Sequence, residues 1–228
     1  MNVIAPRRSG GRAARRAIRA APVVDALRSI RPGMSGGSLK VLSPEQIDQI
    51  HEAAIEALET IGLVDAPESG IAYMTGVGAI LGEDGRIRFP RAVVEEALEK
   101  SCKDLTLHGR DPRYDLHLLG TKVHYGTAGA AVNMVDVEGR NYRDSTVQDL
   151  HDACRICDVL DNIHFVQRPM VARDIPNNRE LDLNTIYACC SGTNKHIGTS
   201  FSEPDFVTPA LELLHMIAGG EDAWRARP

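Results

Sequence analysis

Four of the five cysteines fall in two close pairs, Cys154-Arg155-Ile156-Cys157 and Cys189-Cys190. Four thiolates can bind zinc, and a C-x-x-C pair can run thiol–disulfide exchange. The first pair, however, falls inside a helical pattern rather than at its start, where the helix dipole would lower a thiol pKa. Adjacent cysteines do not readily point at one metal. Both pairs therefore read as packing, free cysteine being among the most buried residue types. His51-Glu52-Ala53-Ala54-Ile55 stops one residue short of the H-E-x-x-H zinc signature, with Ile55 where the second ligand belongs. Gly76-Val77-Gly78-Ala79-Ile80-Leu81-Gly82 has one residue too many before its last glycine for a dinucleotide loop and follows no clear strand. No metal site is expected.

Two other stretches carry chemistry. Tyr125-Gly126-Thr127-Ala128-Gly129-Ala130-Ala131-Val132-Asn133 joins small residues to an aromatic and an amide. Such a loop lets a ligand approach the backbone, and it equally suits a glycine-rich turn or bulge. Arg168 and Thr199-Ser200 fall toward the ends of two predicted strands. Singly, Arg168 reads as a surface ion pair and His196 as a satisfied core histidine.

The elements that would position these groups follow from periodicity. Arg31-Pro32-Gly33-Met34-Ser35-Gly36-Gly37-Ser38 is a linker. Ser43-Pro44-Glu45-Gln46 is a helix start with a capping box, followed by Ile47, Ile50, Ala54, Leu58 and Ile61 at helical spacing and Gly62 as the C′ glycine. A second helix after Pro90 should bury Val93, Val94, Ala97 and Leu98. Between Asp104 and Arg143 the period shortens to strands, with Leu105 and Leu107 alternating and Lys122–Tyr125 and Val132–Val137 forming antiparallel strands around Glu138-Gly139.

After Asp144 helix and strand alternate. Ser145-Thr146-Val147-Gln148 reads as a second capping box, opening a helix that buries Val147, Leu150, Cys154 and Cys157. A strand over Ile163–Val171, a helix over 180–191 burying Leu183, Ile186 and Cys190, and a strand over His196–Phe201 follow. A helix capped by Ser202 then carries Phe206, Ala210, Leu213, Leu214 and Ile217 to Gly219-Gly220, just before another strand would be due. This rhythm implies parallel strands covered by helices. If they open a barrel, Tyr125, Asn133, Arg168 and Thr199 should border one substrate cavity at the C-terminal strand ends. The expected organisation is a basic disordered arm and linker over 1–40, a helix-plus-strand section over 41–145 and the first βα units of an incomplete barrel over 146–228.

Charge is uneven. Residues 1–31 hold eight arginines against Asp25, or +7, leaving 18 basic and 30 acidic residues, −12, for the remainder of the 228-residue chain. The tail reads as a solvated basic arm, with a basic amphipathic transit peptide as the alternative. It has no aromatic residue to stack on bases, and the acidic body argues against a nucleic-acid binder. No run reaches the ~18 apolar residues of a membrane helix. With an odd number of cysteines and no signal-peptide core, the expected setting is cytoplasmic.

The ordered series LSPEQIDQIHEAAIEALETIGL, LTLHGRDP, HYGTAGAAVNMVD, FVQRPMVARDIP and LDLNTIYACCSGTNKHIG resembles the trimethylamine methyltransferase family from about residue 7 to the last residue. The cysteines at 154, 157, 189 and 190 stand where the family has small residues, in keeping with packing. The resemblance implies an α/β fold: an N-terminal α+β section followed by the opening units of a (β/α)8 TIM-type barrel. It implies transfer of a methyl group from trimethylamine or a quaternary amine such as a betaine to cobalt(I) of a partner corrinoid protein. The corrinoid (cobalamin) would be carried by that partner and not bound directly; a homo-oligomer would suit the longer protein. Some members read an in-frame amber codon as pyrrolysine. The key residues fall in later strands, so no catalytic residue is assigned here and residues 1–228 alone should be silent. A quaternary ammonium favours aromatic faces. Of the ten aromatics, Tyr125, Phe165, Tyr187 and Phe201 lie in the matching region, and most of these read as core. The other readings are a non-catalytic fragment that docks a partner and a protein built on a cysteine zinc or thiol site.

Overall fold

Proline at the first turn and a hydroxyl before it start a helix where the sequence places one. In the computed structural model, which describes residues 11–21 and 30–228, Ser43 Oγ accepts from Gln46 N at 3.3 Å while Gln46 Oε1 accepts from Ser43 N at 2.9 Å. The capping box is complete.

The elements in chain order are α1 (Arg12–Ala20), β1 (Met34–Ser35), α2 (Pro44–Thr60), α3 (Glu68–Gly76), β2 (Ile80–Leu81), β3 (Ile87–Arg88), α4 (Arg91–Lys100) and β4 (Leu105–Leu107). A 3-10 turn (Pro112–Tyr114) leads to β5 (Leu116–Leu118), β6 (Lys122–Val123), β7 (Asn133–Val135), β8 (Tyr142–Asp144), α5 (Val147–Val159), β9 (Phe165–Gln167), α6 (Asn178–Gly192) and β10 (His196–Gly198). Another 3-10 turn (Pro204–Phe206), α7 (Val207–Ala218) and α8 (Glu221–Ala226) follow. Within the basic arm, Arg12–Ala20 is helical where disorder was expected; the expectations for residues 1–10 and 22–29 lie outside the described residues.

The chain forms two units. The smaller holds Ser35–Thr106 and His117–Thr121. Gly62 ends α2 with φ 70, and its missing Cβ makes room for the carbonyl of Ile87, so Leu63 and Ile87 exchange backbone hydrogen bonds at 2.9 Å each way. The expected inward face of α2 is corrected. Ile47, Ile50, Ala54 and Ile61 are exposed and Leu58 is half-buried, while Ile55 is buried together with Ile87 of the antiparallel β2–β3 pair. The helix packs through α4 and β3, which select one narrow stripe. On α4, Val93 and Val94 are half-buried, but Ala97 and Leu98 are exposed. Helix α3 was not foreseen, its apolar residues Ile71–Met74 being consecutive rather than at helical spacing.

The larger unit holds Leu107–Leu116 and Lys122–Pro228, with the described residues before Ser35. Here the expected alternation holds. β9 and β10 are parallel neighbours, pairing His196 with Phe165, Ile197 with Val166 and Gly198 with Gln167. On the other side of β9 the chain from Tyr125 to Ala131 also runs parallel, through bridges Gly126–Phe165 and Ala131–Met170. The helices α5, α6 and α7 cover this ladder. Leu150, Cys154, Cys157, Val166, Met170 and Cys189 form the main core, while Ile186, Cys190 and Ala210 form a second, flanked by Leu183, Leu213, Leu214 and Ile217.

Several boundaries move. The two strands span three residues each, shorter than Ile163–Val171 and His196–Phe201. The cap of α5 is Thr146 with Asp149, one residue beyond the predicted box; Ser145 is buried instead and donates to Val171 O at 2.6 Å. Ser202 caps no helix, because its N–H and hydroxyl both go to buried Asp182. Gly219 ends α7 in the left-handed region at φ 91, as predicted, but α8 follows where a strand was due. The β7–β8 hairpin is antiparallel around Gly139, which takes φ 70 in its turn. The described residues hold mixed helix and strand and no closed barrel.

Candidate functional site

The glycine-rich stretch is resolved by its neighbours. A Cβ on Gly126 would overlap the Phe165 ring, so this glycine lets one segment of the ladder close on the next. Gly198 is bare for a similar reason, since the Gln167 side chain lies over it. Thr127 Oγ1 donates to Gln167 O, holding the segment one step further along β9.

The four expected substrate residues are placed as follows. Tyr125 pairs with His164 through both backbone groups: Tyr125 N donates to His164 Nδ1 at 2.9 Å and Tyr125 O accepts from His164 N at 2.7 Å. It is therefore level with the start of β9. Arg168 and Thr199 follow the C-terminal ends of β9 and β10, where Arg168 N donates to Gly198 O at 2.8 Å. The register puts Tyr125 four residues before Arg168, or roughly 13 Å along the strand. Asn133 opens β7 and is held by the hairpin, its Nδ2 donating to Arg143 O at 3.4 Å and Asp144 Oδ1 at 3.3 Å. Arg168 and Thr199 are thus neighbours, Tyr125 and Asn133 stand on other segments.

A cavity of about 410 Å³ runs beside β10. His196 and Thr199 line it from the strand, Ile186 and Cys190 from α6, and Trp224 from α8. Of the four expected residues Thr199 is in its lining; Tyr125, Asn133 and Arg168 are not. The Thr199 hydroxyl is buried and lacks a hydrogen-bond partner. His196 Nδ1 lies 2.9 Å from the carbonyl oxygen of His108, which can only accept. Nδ1 therefore carries a proton to that carbonyl, which fixes the orientation of the ring. Arg227, also at the wall, binds Asp115 with two hydrogen bonds of 2.7 and 2.9 Å. That ion pair, with bonds from Gly109 N and His108, holds the Asp115 carboxyl down at about 2.

Three buried ionisable residues escaped the sequence reading. Lys195, just before β10, is buried, and its ammonium donates to the carbonyls of Cys157, Leu160 and Ile163. Burial lowers its pKa. His164 is buried with Nε2 unpartnered, and desolvation lowers its pKa. Asp182 anchors the segment after β10 through Ser202. A polar residue inside an apolar run was the available signal, and for Lys195 the run was too short to show it.

The zinc alternative finds no support: no group of three or more His, Cys, Asp or Glu among the described residues is arranged for a metal. The aromatics are corrected too, since Tyr125, Tyr187 and Phe201 are exposed and not core. No described helix is long and apolar enough to cross a membrane.

Fold and site together define an α/β protein with a parallel ladder under helices and a cavity of mixed polar and apolar lining beside its outer strand. Residues 8–228 match the family model described as trimethylamine methyltransferase (MTTB), and the chain belongs to that family. It is similar to trimethylamine methyltransferase MttB of Desulfitobacterium hafniense DCB-2, 28% identical over 86% of this chain and 39% of that protein. MttB of Methanosarcina thermophila is 28% identical over 72% of this chain and 35% of its own length. Glycine betaine methyltransferase of D. hafniense Y51 is 23% identical over 82% of this chain and 39% of its own. The chain thus aligns with little more than a third of each of these relatives.

Proposed function

We propose that this chain is part of a methyltransferase that removes a methyl group from a methylated amine and passes it to cobalt(I) of a corrinoid protein. The observation that carries the reading is the family match over residues 8–228, with relatives named for trimethylamine and glycine betaine. The parallel ladder of 125–131, β9 and β10 supports taking this part as the opening of a barrel. In that reading Arg168 and Thr199 face the rim where substrate binds, and Tyr125 and Asn133 would border the larger cavity of the completed barrel, which is not the one beside β10. The acceptor is a separate protein, this chain binds no cofactor itself, and the free thiols suit a cytoplasmic enzyme.

The chemistry asks for a cavity that excludes water and holds the amine nitrogen, methyl carbon and cobalt in line within ~3–3.5 Å. The test uses the protein from the full reading frame. It is mixed with a corrinoid protein reduced to Co(I) and, separately, trimethylamine and glycine betaine. Methyl–cobalt absorbance should rise with one amine, with the matching demethylated amine in the mass spectrum. No methyl–cobalt with any of a panel of methylamines and betaines, from a folded enzyme and active corrinoid protein, would reject the reading.

A further inference from the structure

Four buried thiols remain outside the proposed chemistry, Cys154 and Cys157 on α5 and Cys189 and Cys190 on α6. They are not equivalent. Cys154, Cys157 and Cys189 share the core around Leu150 and Val166, whereas Cys190 packs with Ile186 and Ala210. Cys154 and Cys189 meet in the first of these clusters, where α5 packs on α6, Cys189 lying one turn before Gly192 on α6. This closeness is built into the backbone. A Cβ on Gly192 of α6 would lie 2.6 Å from Cys154 Cβ and 2.9 Å from His151 O, so glycine is what lets the helices approach so far. The pairings within one helix are poor. Cys154 and Cys157 sit three residues apart on one helix and Cys189 and Cys190 are consecutive, and a disulfide within either pair would distort helical geometry.

We propose that Cys154 and Cys189 form an oxidation site, at which a peroxide converts the thiol pair into a reversible disulfide joining α5 to α6. The Cys154 sulfur attacks one peroxide oxygen, giving a sulfenic acid and releasing the other oxygen as water. The Cys189 sulfur then attacks the sulfenic sulfur, forming the S–S bond and releasing a second water. Two thiols and one hydrogen peroxide thus give one disulfide and two waters. A low-molecular-weight thiol reverses the step through a mixed disulfide. The neighbouring Cys189 lowers the Cys154 pKa, which suits Cys154 to the first attack. Both sulfurs are fully buried, so peroxide reaches them when the helices part. Oxidation is therefore slower than at exposed Cys102 and is accelerated by mild denaturant.

The experiment oxidises the full chain carrying Cys102→Ser, which removes the exposed thiol, with hydrogen peroxide. Remaining thiols are alkylated and peptides are mapped without reduction. The expected product is one cross-linked peptide pair containing residues 154 and 189, about 2 Da lighter than its parts. It is lost on treatment with dithiothreitol and accompanied by an upward shift of roughly 5–10 °C in Tm. The bridge should persist in Cys157→Ser and Cys190→Ser and vanish in Cys189→Ser. A bridge through Cys157 or Cys190, or Cys154 and Cys189 left intact by prolonged peroxide treatment in mild denaturant, would overturn the assignment. The mapping of the unsubstituted pair decides the matter even if Cys189→Ser folds poorly.

Discussion

The Lys195 ammonium donates to the carbonyl oxygen of Cys157 at 2.6 Å and so closes the carboxyl end of α5 from a different element. The carbonyls of Leu160 and Ile163 take its other two protons, at 2.8 and 2.6 Å. Cations are favourable at a helix C-terminus, where carbonyls lack partners within the helix and the lysine supplies them. Lys195→Met should lower unfolding stability by about 3 kcal/mol, measured by urea titration. Exposed Lys40→Met should change it by less than ~0.5 kcal/mol.

Acid stability should carry the mark of the Asp115–Arg227 pair. The Asp115 carboxyl is held at about 2 in the folded chain by Arg227, against about 3.9 when unfolded. Its folded pKa is the lower, so the stabilisation is complete above pH ~4 and is lost as pH falls toward 2. Arg227→Met should remove on the order of 1 kcal/mol at neutral pH and flatten this part of the acid limb. Unfolding free energy measured from pH 7 to pH 2.5 reads both effects.

Gly126→Ala should destabilise the larger unit by about 1–3 kcal/mol, because its Cβ would enter the Phe165 ring. Phe165→Leu, costly alone, should recover part of the loss when combined with it. Additive losses in a double-mutant cycle would show that the glycine serves something other than this contact.

The inward stripe of α2 is tested by two alanines. Ile55→Ala should cost about 2–4 kcal/mol in the smaller unit, whereas Ile47→Ala, 54% exposed, should cost under ~0.5 kcal/mol. Reversed magnitudes in thermal melts would return the helix to the face its periodicity suggested.

Thr199→Val separates packing from substrate binding. The hydroxyl it removes is buried without a partner, so Tm should hold or rise, by up to ~1 kcal/mol of stability. In the methyl-transfer assay the same variant should lose kcat/KM if the hydroxyl binds the amine or its carboxylate. Unchanged kinetics would remove Thr199 from the proposed site.

What could be read from the chain was whatever its own neighbours decide. Ser43 and Gln46 cap each other across three residues, and Gly62, Gly139 and Gly219 take the turns that only a bare Cα adopts cheaply. The parallel pairing of β9 and β10 followed from the same local alternation. Partners far along the chain decided the rest. Ser202 has the chemistry of a cap, but Asp182, twenty residues earlier, takes both its donors. Ser145 and Thr146 are equally good caps by type; burial against Val171 removes the first. For the site, Arg168 and Thr199 fell together because adjacent parallel strands place them so, while the loop carrying Tyr125 had no pattern revealing its register against His164.

The ion pair of Asp115 and Arg227 also sets an order of events during synthesis. The two residues are 112 positions apart. At about 5–20 residues per second a ribosome needs roughly 6–22 s to travel between them. The segment Ser35–Thr106, which supplies most of the smaller unit, has emerged by then and can pack Ile55 against Ile87. The loop around Gly109 and Asp115 meets Asn194 and His196 earlier, but its carboxylate must wait for Arg227, just past α8. During that interval it is open to proteases and chaperones, and a pulse of either on nascent chains should find it before it finds α2.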